Sequence, residues 1–381
     1  MKHTSSFLAL VVFLVTALSS AQAAYGHDRH RGHGRSVDDL VFVQTNELDG
    51  NRVVVFGRGD DGSLDRRGTY ATGGRGGAAA PGTESDRLAS QGSLVYDDAH
   101  RLLFAVNAGS DSVSVFRVRG DRLDLADVDP SGGDFPASVA VFDDLVYVLN
   151  AGNDGRLQGF RVHGGHLRRL EGSTRSLGLA NTDPPNFLMS PGQVGFTPDG
   201  RKLIVTTKAS KTTIEVFDVR RDGRLSPSPV VNASATPVPF AFTFDPAGRL
   251  VSGEAGLSSV TTYTIGADGH LMNPQSLTDG QVALCWVVRV GDFYYVSNTG
   301  SNTLSGYRID AAGRPMLVTP TGVVATTPPG PIDLATSGGF LYAQTGTTGT
   351  VEGYRVEGDG RLTRLGSVTG LPPGMEGIAA T

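Results

Sequence analysis

Lys208 and Glu254 are the two side chains of this 381-residue sequence whose chemistry stands out from its surroundings. They interrupt a set of amides, Asn46, Asn107, Asn150, Asn298 and Gln344, at corresponding positions of a repeated phrase. An amine beside a carboxyl suits acid–base work, the acid accepting a proton and the cation holding developing negative charge. A rim salt bridge is the alternative for such a pair. Asn107, Asn150 and Asn298 each precede Ala-Gly or Thr-Gly. Asn tolerates left-handed turns and bonds its own backbone, so a turn role stands beside ligand contact for all three. Gln91, Gln193, Trp286, Asp333 and Glu376 fall near the same place, just before or within short apolar segments. Trp286 reads as core or as a stacking platform for a ring-shaped ligand.

These residues are spaced by a phrase that recurs along the chain. A strand ends in a small or polar residue, a Gly-rich turn follows, and a second strand carries a central aromatic before a polar turn and Leu. Leu102 to Leu125 (LLFAVNAGSDSVSVFRVRGDRLDL) is its clearest copy. The central aromatics are Phe56, Phe116, Phe160, Phe217, Tyr263, Tyr307 and Tyr354, and subtracting neighbours gives spacings of 60, 44, 57, 46, 44 and 47. A period of roughly 45 residues built from alternating, β-branched segments predicts four-stranded propeller blades. No long stretch has the 3.6-residue period of a helix.

A shorter apolar segment precedes most phrases (GSLVYDD, ASVAVFD, QVGFTPD, FAFTFDP, LCWVVRV and PIDLATS) and reads as the innermost strand. The first phrase lacks one, and the last is followed by one, Met375 to Thr381. The expected fold is therefore all-β, a seven-bladed β-propeller over 39–381 closed by the C-terminal strand, which removes an unpaired edge. The Gly-rich turns and the links into the inner strands share one rim, where a ligand would meet side chains of several blades. The two long spacings place inserts there, 71–90 and 171–190. Each is either a lid over the channel or a plain surface loop.

Composition narrows the function classes. Residues 1–23 carry Lys2, an apolar run from Phe7 to Leu18 and Ala21-Gln22-Ala23, the pattern of a cleaved export signal. The expected location is secreted, extracellular or periplasmic, with no membrane partner. Loss of Lys2 leaves 32 basic residues against 38 acidic ones, a net charge of −6 and no broad basic face for nucleic acid. Cys285 is the only cysteine, so no intramolecular disulfide forms. Residues 24–38 form an expected flexible tail, and its His27, His30 and His33 read as solvated linker rather than a metal site. His100, His163, His166 and His270 fall by register on the opposite rim, which gives no Ser-His-Asp assembly. G-x-S-x-G, H-E-x-x-H and Walker signatures are missing, and neither cofactor nor metal is expected. A monomer is expected.

The blade phrases Phe196-Thr197-Pro198-Asp199-Gly200-Arg201, Phe244-Asp245-Pro246-Ala247-Gly248-Arg249 and Gly256-Leu257-Ser258-Ser259-Val260 resemble those of the lactonase family of seven-bladed propellers. That family includes bacterial 6-phosphogluconolactonases and fungal carboxymuconate cyclases. By repeat count the resemblance covers the whole mature chain. It implies a channel-mouth site in which the family's His position looks like Gln193, its Arg position like Phe240, its Glu position like Glu254 and a nearby Lys like Lys208. Glu254 would then activate water and Lys208 stabilise the oxyanion of an opening lactone. The replaced Arg argues against a phosphorylated or carboxylated substrate. Two readings follow. One is a secreted lactone hydrolase or cycloisomerase acting on a small molecule. The other is a non-catalytic extracellular propeller that binds a glycan, polymer or protein across the Asn-bearing rim.

Overall fold

In the computed structural model, which describes residues 39–80 and 84–381, every blade begins at the axis with a short strand of small and apolar residues. In chain order these inner strands are Leu94–Asp97, Pro136–Phe142, Gln193–Phe196, Pro239–Phe244, Leu284–Val290, Pro331–Ser337 and Ile378–Ala380. Each starts an antiparallel sheet of four strands in radial order, and there are seven such sheets. We number the blades from the one begun by Leu40, so that Leu94–Asp97 opens blade 2 and Pro331–Ser337 opens blade 7. The outermost strand of blades 3 and 6 is split in two by a break. The expected fold is the observed one. The signal at 1–23 and the tail at 24–38 lie outside the described residues.

Burial follows radial position. The second strands, such as Leu102–Asn107 (LLFAVN) and Leu145–Asn150 (LVYVLN), are buried at every residue. They are covered on both faces by neighbouring blades, which demands a near-continuous apolar run. The outer strands alternate or are largely exposed, as in Leu64–Ala71. Blades are also pinned to one another. Tyr147, Tyr295 and Tyr342 each donate their hydroxyl to a glycine carbonyl in the next blade's turn, Gly223, Gly360 and Gly62 respectively, at 2.9 Å. Gly62 has φ +85°, and a Cβ there would come within 2.5 Å of Phe340, so only glycine fits this close approach.

The ring closes as the sequence implies. Val41, Phe42 and Val43 of blade 1 pair with Ala380, Ala379 and Ile378. Leu40 N donates to Thr381 Oγ1 at 2.9 Å, and Thr381 N donates to Leu40 O at 3.0 Å. The first described strand, Leu40–Gln44, and the last, Ile378–Ala380, thus share one sheet.

The two inserts meet. Ala80 N donates to Pro185 O at 2.7 Å and Phe187 N to Ala80 O at 3.1 Å. The first insert then crosses the axis as residues 84–91. Ser90 Oγ donates to Ala137 O of blade 3 at 2.7 Å, Gln91 N to Gly192 O before blade 4 at 3.0 Å, and Trp286 Nε1 of blade 6 to Ser90 O at 3.0 Å. Leu88 N and Ser90 N both donate to Glu376. Residues 84–91 form a cap over the rim where the inner strands begin. The second insert clasps the first.

Candidate functional site

The expected pair of Lys208 and Glu254 does not form. Glu254 ends the second strand of blade 5, and its fully buried carboxylate turns into its own blade. Oε1 accepts from Ser234 Oγ at 2.7 Å and from the Tyr263 hydroxyl. Oε2 accepts from Thr236 N at 3.1 Å, from Thr236 Oγ1 and from Thr261 Oγ1 at 2.7 Å. Five donors leave this acid no room to activate a water.

Lys208 is held in a left-handed conformation, φ 47°, at the start of a single helical turn. Its buried ammonium donates to Ala89 O at 2.6 Å and to Phe187 O, so it fastens both inserts, and it lies 5.0 Å from the centre of the Phe240 ring. Burial lowers its pKa to about 8, against the opposing pull of Asp86, Cys285 and Glu376. Its charge partners are therefore the acids beneath the cap. Repeat register placed both residues on one rim of adjacent blades, but register does not fix side-chain direction.

The rim asparagines also face inward. Asn107 Nδ2 donates to Ser112 Oγ and Ser114 Oγ at 3.2 and 2.8 Å, while its Oδ1 accepts from Asn51 and Thr72. Asn298 Nδ2 repeats the donor half of this arrangement on Thr303 Oγ1 and Ser305 Oγ, at 3.2 and 2.9 Å. Asn150 donates to Ser131 O and Arg156 O. All three are fully buried, so they close blade turns, and the ligand contact expected of them is not available beneath the protein's own groups. Trp286 and Phe240 are core as well, with ring centroids 4.9 Å apart. No stacking platform is exposed at either.

Beneath the cap lies a cluster of acids. Glu376, fully buried, accepts from Leu88 N at 2.6 Å and Ser90 N at 3.3 Å. Its carboxyl also feels the charge of Asp86, on the crossing segment. Burial raises Asp86 to about 6 and, with the neighbouring Asp86 charge, raises Glu376 well above the usual carboxylate range. Asp333, at the head of blade 7's inner strand, accepts from Leu334 N at 3.0 Å and Ile378 N at 3.3 Å, and burial lifts it to about 7. Asp86 has no repeat position and no sequence signal marked it. Among the described residues no group of three or more His, Cys, Asp or Glu side chains has the arrangement of a metal site.

Asp333 is also among the residues lining an axial channel of about 500 Å³. The channel opens at the rim where the inner strands end, beside Phe142, Pro198 and Thr336, and reaches up to Gln91, Gln193 and Asp333. Gln91 is a clamp across the axis, its Nε2 donating to Val287 O at 3.2 Å and its Oε1 accepting from Val287 N at 3.1 Å. Gln193 Oε1 accepts from Phe242 N at 2.6 Å, and its Nε2 makes no hydrogen bond within the described protein. The blind end thus offers one carboxyl poised near neutrality and one amide donor. That combination can move a proton and steady an oxyanion. The channel opens at the rim opposite to the one expected to hold the site.

The family model "Lactonase, 7-bladed beta-propeller" matches residues 270–375. No curated protein matches the chain. Among solved structures, a protein from Lactobacillus plantarum superposes with a TM-score of 0.67 at 19% identity, over 88% of this chain and 97% of its own. The periplasmic gluconolactonase PpgL of Pseudomonas aeruginosa gives 0.68 at 17% identity, over 89% and 98%. A chain of the nidogen/laminin complex gives 0.52 at 14% identity, over 90% and 98%. At these identities the likeness is one of fold, and a fold hosts many functions. With the family's model on residues 270–375 and its fold over nearly all the described chain, this protein resembles the lactonase family of seven-bladed propellers.

Proposed function

We propose that the protein is a lactonase-like hydrolase that opens a small-molecule lactone in its axial channel. The observation that carries this reading is Asp333, a carboxyl raised to about 7 at the blind end of an open cavity. A base is most useful when its pKa lies near the working pH. Water attacks the lactone carbonyl carbon while Asp333 takes its proton. Gln193 Nε2 donates to the carbonyl oxygen as it gains charge. The acyl–oxygen bond of the ring then breaks, and Asp333 returns the proton to the departing ring oxygen. The product is a hydroxy acid, with one water consumed. The export pattern of residues 1–23 supports an extracytoplasmic place for this reaction.

The test is a panel of lactones assayed with wild type and Asp333→Asn. Loss of a general base is expected to lower kcat roughly 10²- to 10⁴-fold with KM little changed. Wild-type kcat/KM is expected to rise with pH through about 7, as Asp333 ionises. Full activity in a folded Asp333→Asn protein would remove Asp333 from the mechanism. A panel without any turnover would favour the binding propeller.

A further inference from the structure

Clefts open between neighbouring blades on the rim where the inner strands end, and one of them differs from the others in charge. The cleft between blades 4 and 5, about 660 Å³, sets Arg201 and Lys202 against Asp199 and Asp218. The cleft between blades 5 and 6, about 400 Å³, sets Arg249 and Arg308 against Asp245, Asp292 and Asp310. The cleft between blades 2 and 3, about 370 Å³, is lined by His100, Arg101, Arg117 and Arg119, and among the described residues by no acid.

The strand Ser112–Arg119 of blade 2 builds one wall. Arg117 and Arg119 are two residues apart, so they share a face of it. Arg117 pairs across the ladder with Leu102, which packs with Val162 of blade 3 in one apolar cluster. Directly paired residues lie on the same side of a sheet, so this face looks at blade 3. The hairpin turn of Gly164 and Gly165 forms the opposite wall. Arg117 Nη2 donates to Gly164 O, which seats one guanidinium in the cleft. Arg101 sits in the turn before Leu102, in a left-handed conformation with φ 53°. Charge here is unbalanced. Lys202 has Asp218 at 2.7 Å and Arg249 has Asp245 at 2.5 Å. In the cleft between blades 2 and 3, Arg119 has Asp124 at 3.0 Å and His100 has Asp97 at 2.6 Å. Arg101 and Arg117 form no ion pair among the described residues.

We propose that the cleft between blades 2 and 3 is a binding site, separate from the axial channel, for a small ligand that carries a phosphate or sulfate group. Guanidinium groups match the oxygens of such a group two at a time. Arg117 gives one N–H to Gly164 O and keeps others for a ligand. A tetrahedral oxyanion presents more acceptor oxygens than a planar carboxylate, which suits donors converging from two strands and a turn. A Cβ on Gly164 would meet nothing within 4 Å, so the cleft has free space beside that turn. The volume is that of a small-ligand site, enough for the charged group with a sugar-sized body. Arg101 and Arg119 are exposed, so the attraction is screened and binding weakens as salt is added. The site is independent of the lactonase reading.

The experiment is calorimetric titration of the mature protein with inorganic phosphate, inorganic sulfate and glucose 6-phosphate, ionic strength being held constant with chloride. Saturable binding at one site is expected. Arg101→Gln and Arg119→Gln should each weaken it about ten-fold, the loss of one charge-assisted contact. Gly164→Asp should abolish it, because Asp tolerates the left-handed φ of +58° and sets a carboxylate beside Arg117. Arg66→Gln removes the same charge from the exposed outer strand of blade 1 and should leave the affinity unchanged. Tighter binding of glucose 6-phosphate than of phosphate would show that the cleft reads the group together with the body that carries it. Equal affinities would show that the anion alone fills it, and both results support the site. Failure of all three to saturate overturns the proposal, as does binding that survives both Arg101→Gln and Gly164→Asp.

Discussion

The buried carboxyls of Asp86 and Glu376 lie within electrostatic reach of one another, relating the segment that crosses the axis to the segment that completes the ring. Two buried acids so placed raise one another's pKa, and at least one keeps its proton. The cap therefore holds protons near neutrality. Lys208 supplies the opposing charge, and its ammonium fastens both inserts.

The sign of the pH dependence follows. Asp86 and Asp333 have folded pKa values of about 6 and about 7, above their ordinary 3.8. Their protonated forms are favoured in the fold, so this stability is fully present below about pH 4 and is lost as pH rises to about 7. Asp61, Asp199 and Asp310, held low by hydrogen bonds at the surface, act in the opposite sense at more acid pH. Melting temperature should fall between pH 4 and pH 7. In Asp86→Asn, whose amide can donate to Glu376 without a shared proton, the fall should be shallower. Parallel melting curves for the two proteins across that range would discount the pair.

Lys208→Met keeps the stem over Phe240 and removes the charge. The acids beneath the cap are left without their cation, a change that costs about 3–5 kcal/mol when no rearrangement relieves it. Protonation of Asp86 and Glu376 offers that relief, so the loss should be smaller at pH 5 than at pH 8. Residues 84–91 also lose the bond at Ala89 O. Limited proteolysis should then cut the crossing segment faster in the variant, and equal cutting rates would show that Lys208 does not hold the cap.

The blades were legible because each repeats one phrase, and closure was legible because the first phrase lacks an inner segment that follows the last. Gln91, Gln193 and Asp333 were placed at the axis by the same register. The direction of a side chain was not. Glu254 and Lys208 occupy matching repeat positions, yet one turns into its blade and the other toward the cap, because the local donors differ. Asp86 lay in an insert without period, where only tertiary contact gives an acid its meaning.

Glu254→Gln is therefore a stability change. One carboxylate oxygen becomes an amide NH2, itself a donor, that faces donors from Ser234 and Tyr263, or from Thr236 and Thr261. Each mismatched buried group costs roughly 1–3 kcal/mol. Denaturant midpoints should drop accordingly, while lactone turnover at a permissive temperature stays at the wild-type rate. A large selective fall in kcat without loss of stability would restore Glu254 to the chemistry.

Removing residues 375–381 takes away more than three ladder pairs. Met375 is fully buried between blades 7 and 1, and deleting such a side chain alone costs about 2–5 kcal/mol. Glu376 leaves with it, so Leu88 N and Ser90 N lose their acceptor and the cap its anchor. The strand Leu40–Gln44 becomes an exposed edge. At roughly 2–4 °C per kcal/mol for a domain of this size, the melting temperature should fall by about 10 °C or more. A synthetic peptide of residues 372–381 should restore part of that loss in a concentration-dependent way, because it binds only the folded ring. A truncated protein that melts like the full chain would mean that blade 1 is complete without its fourth strand.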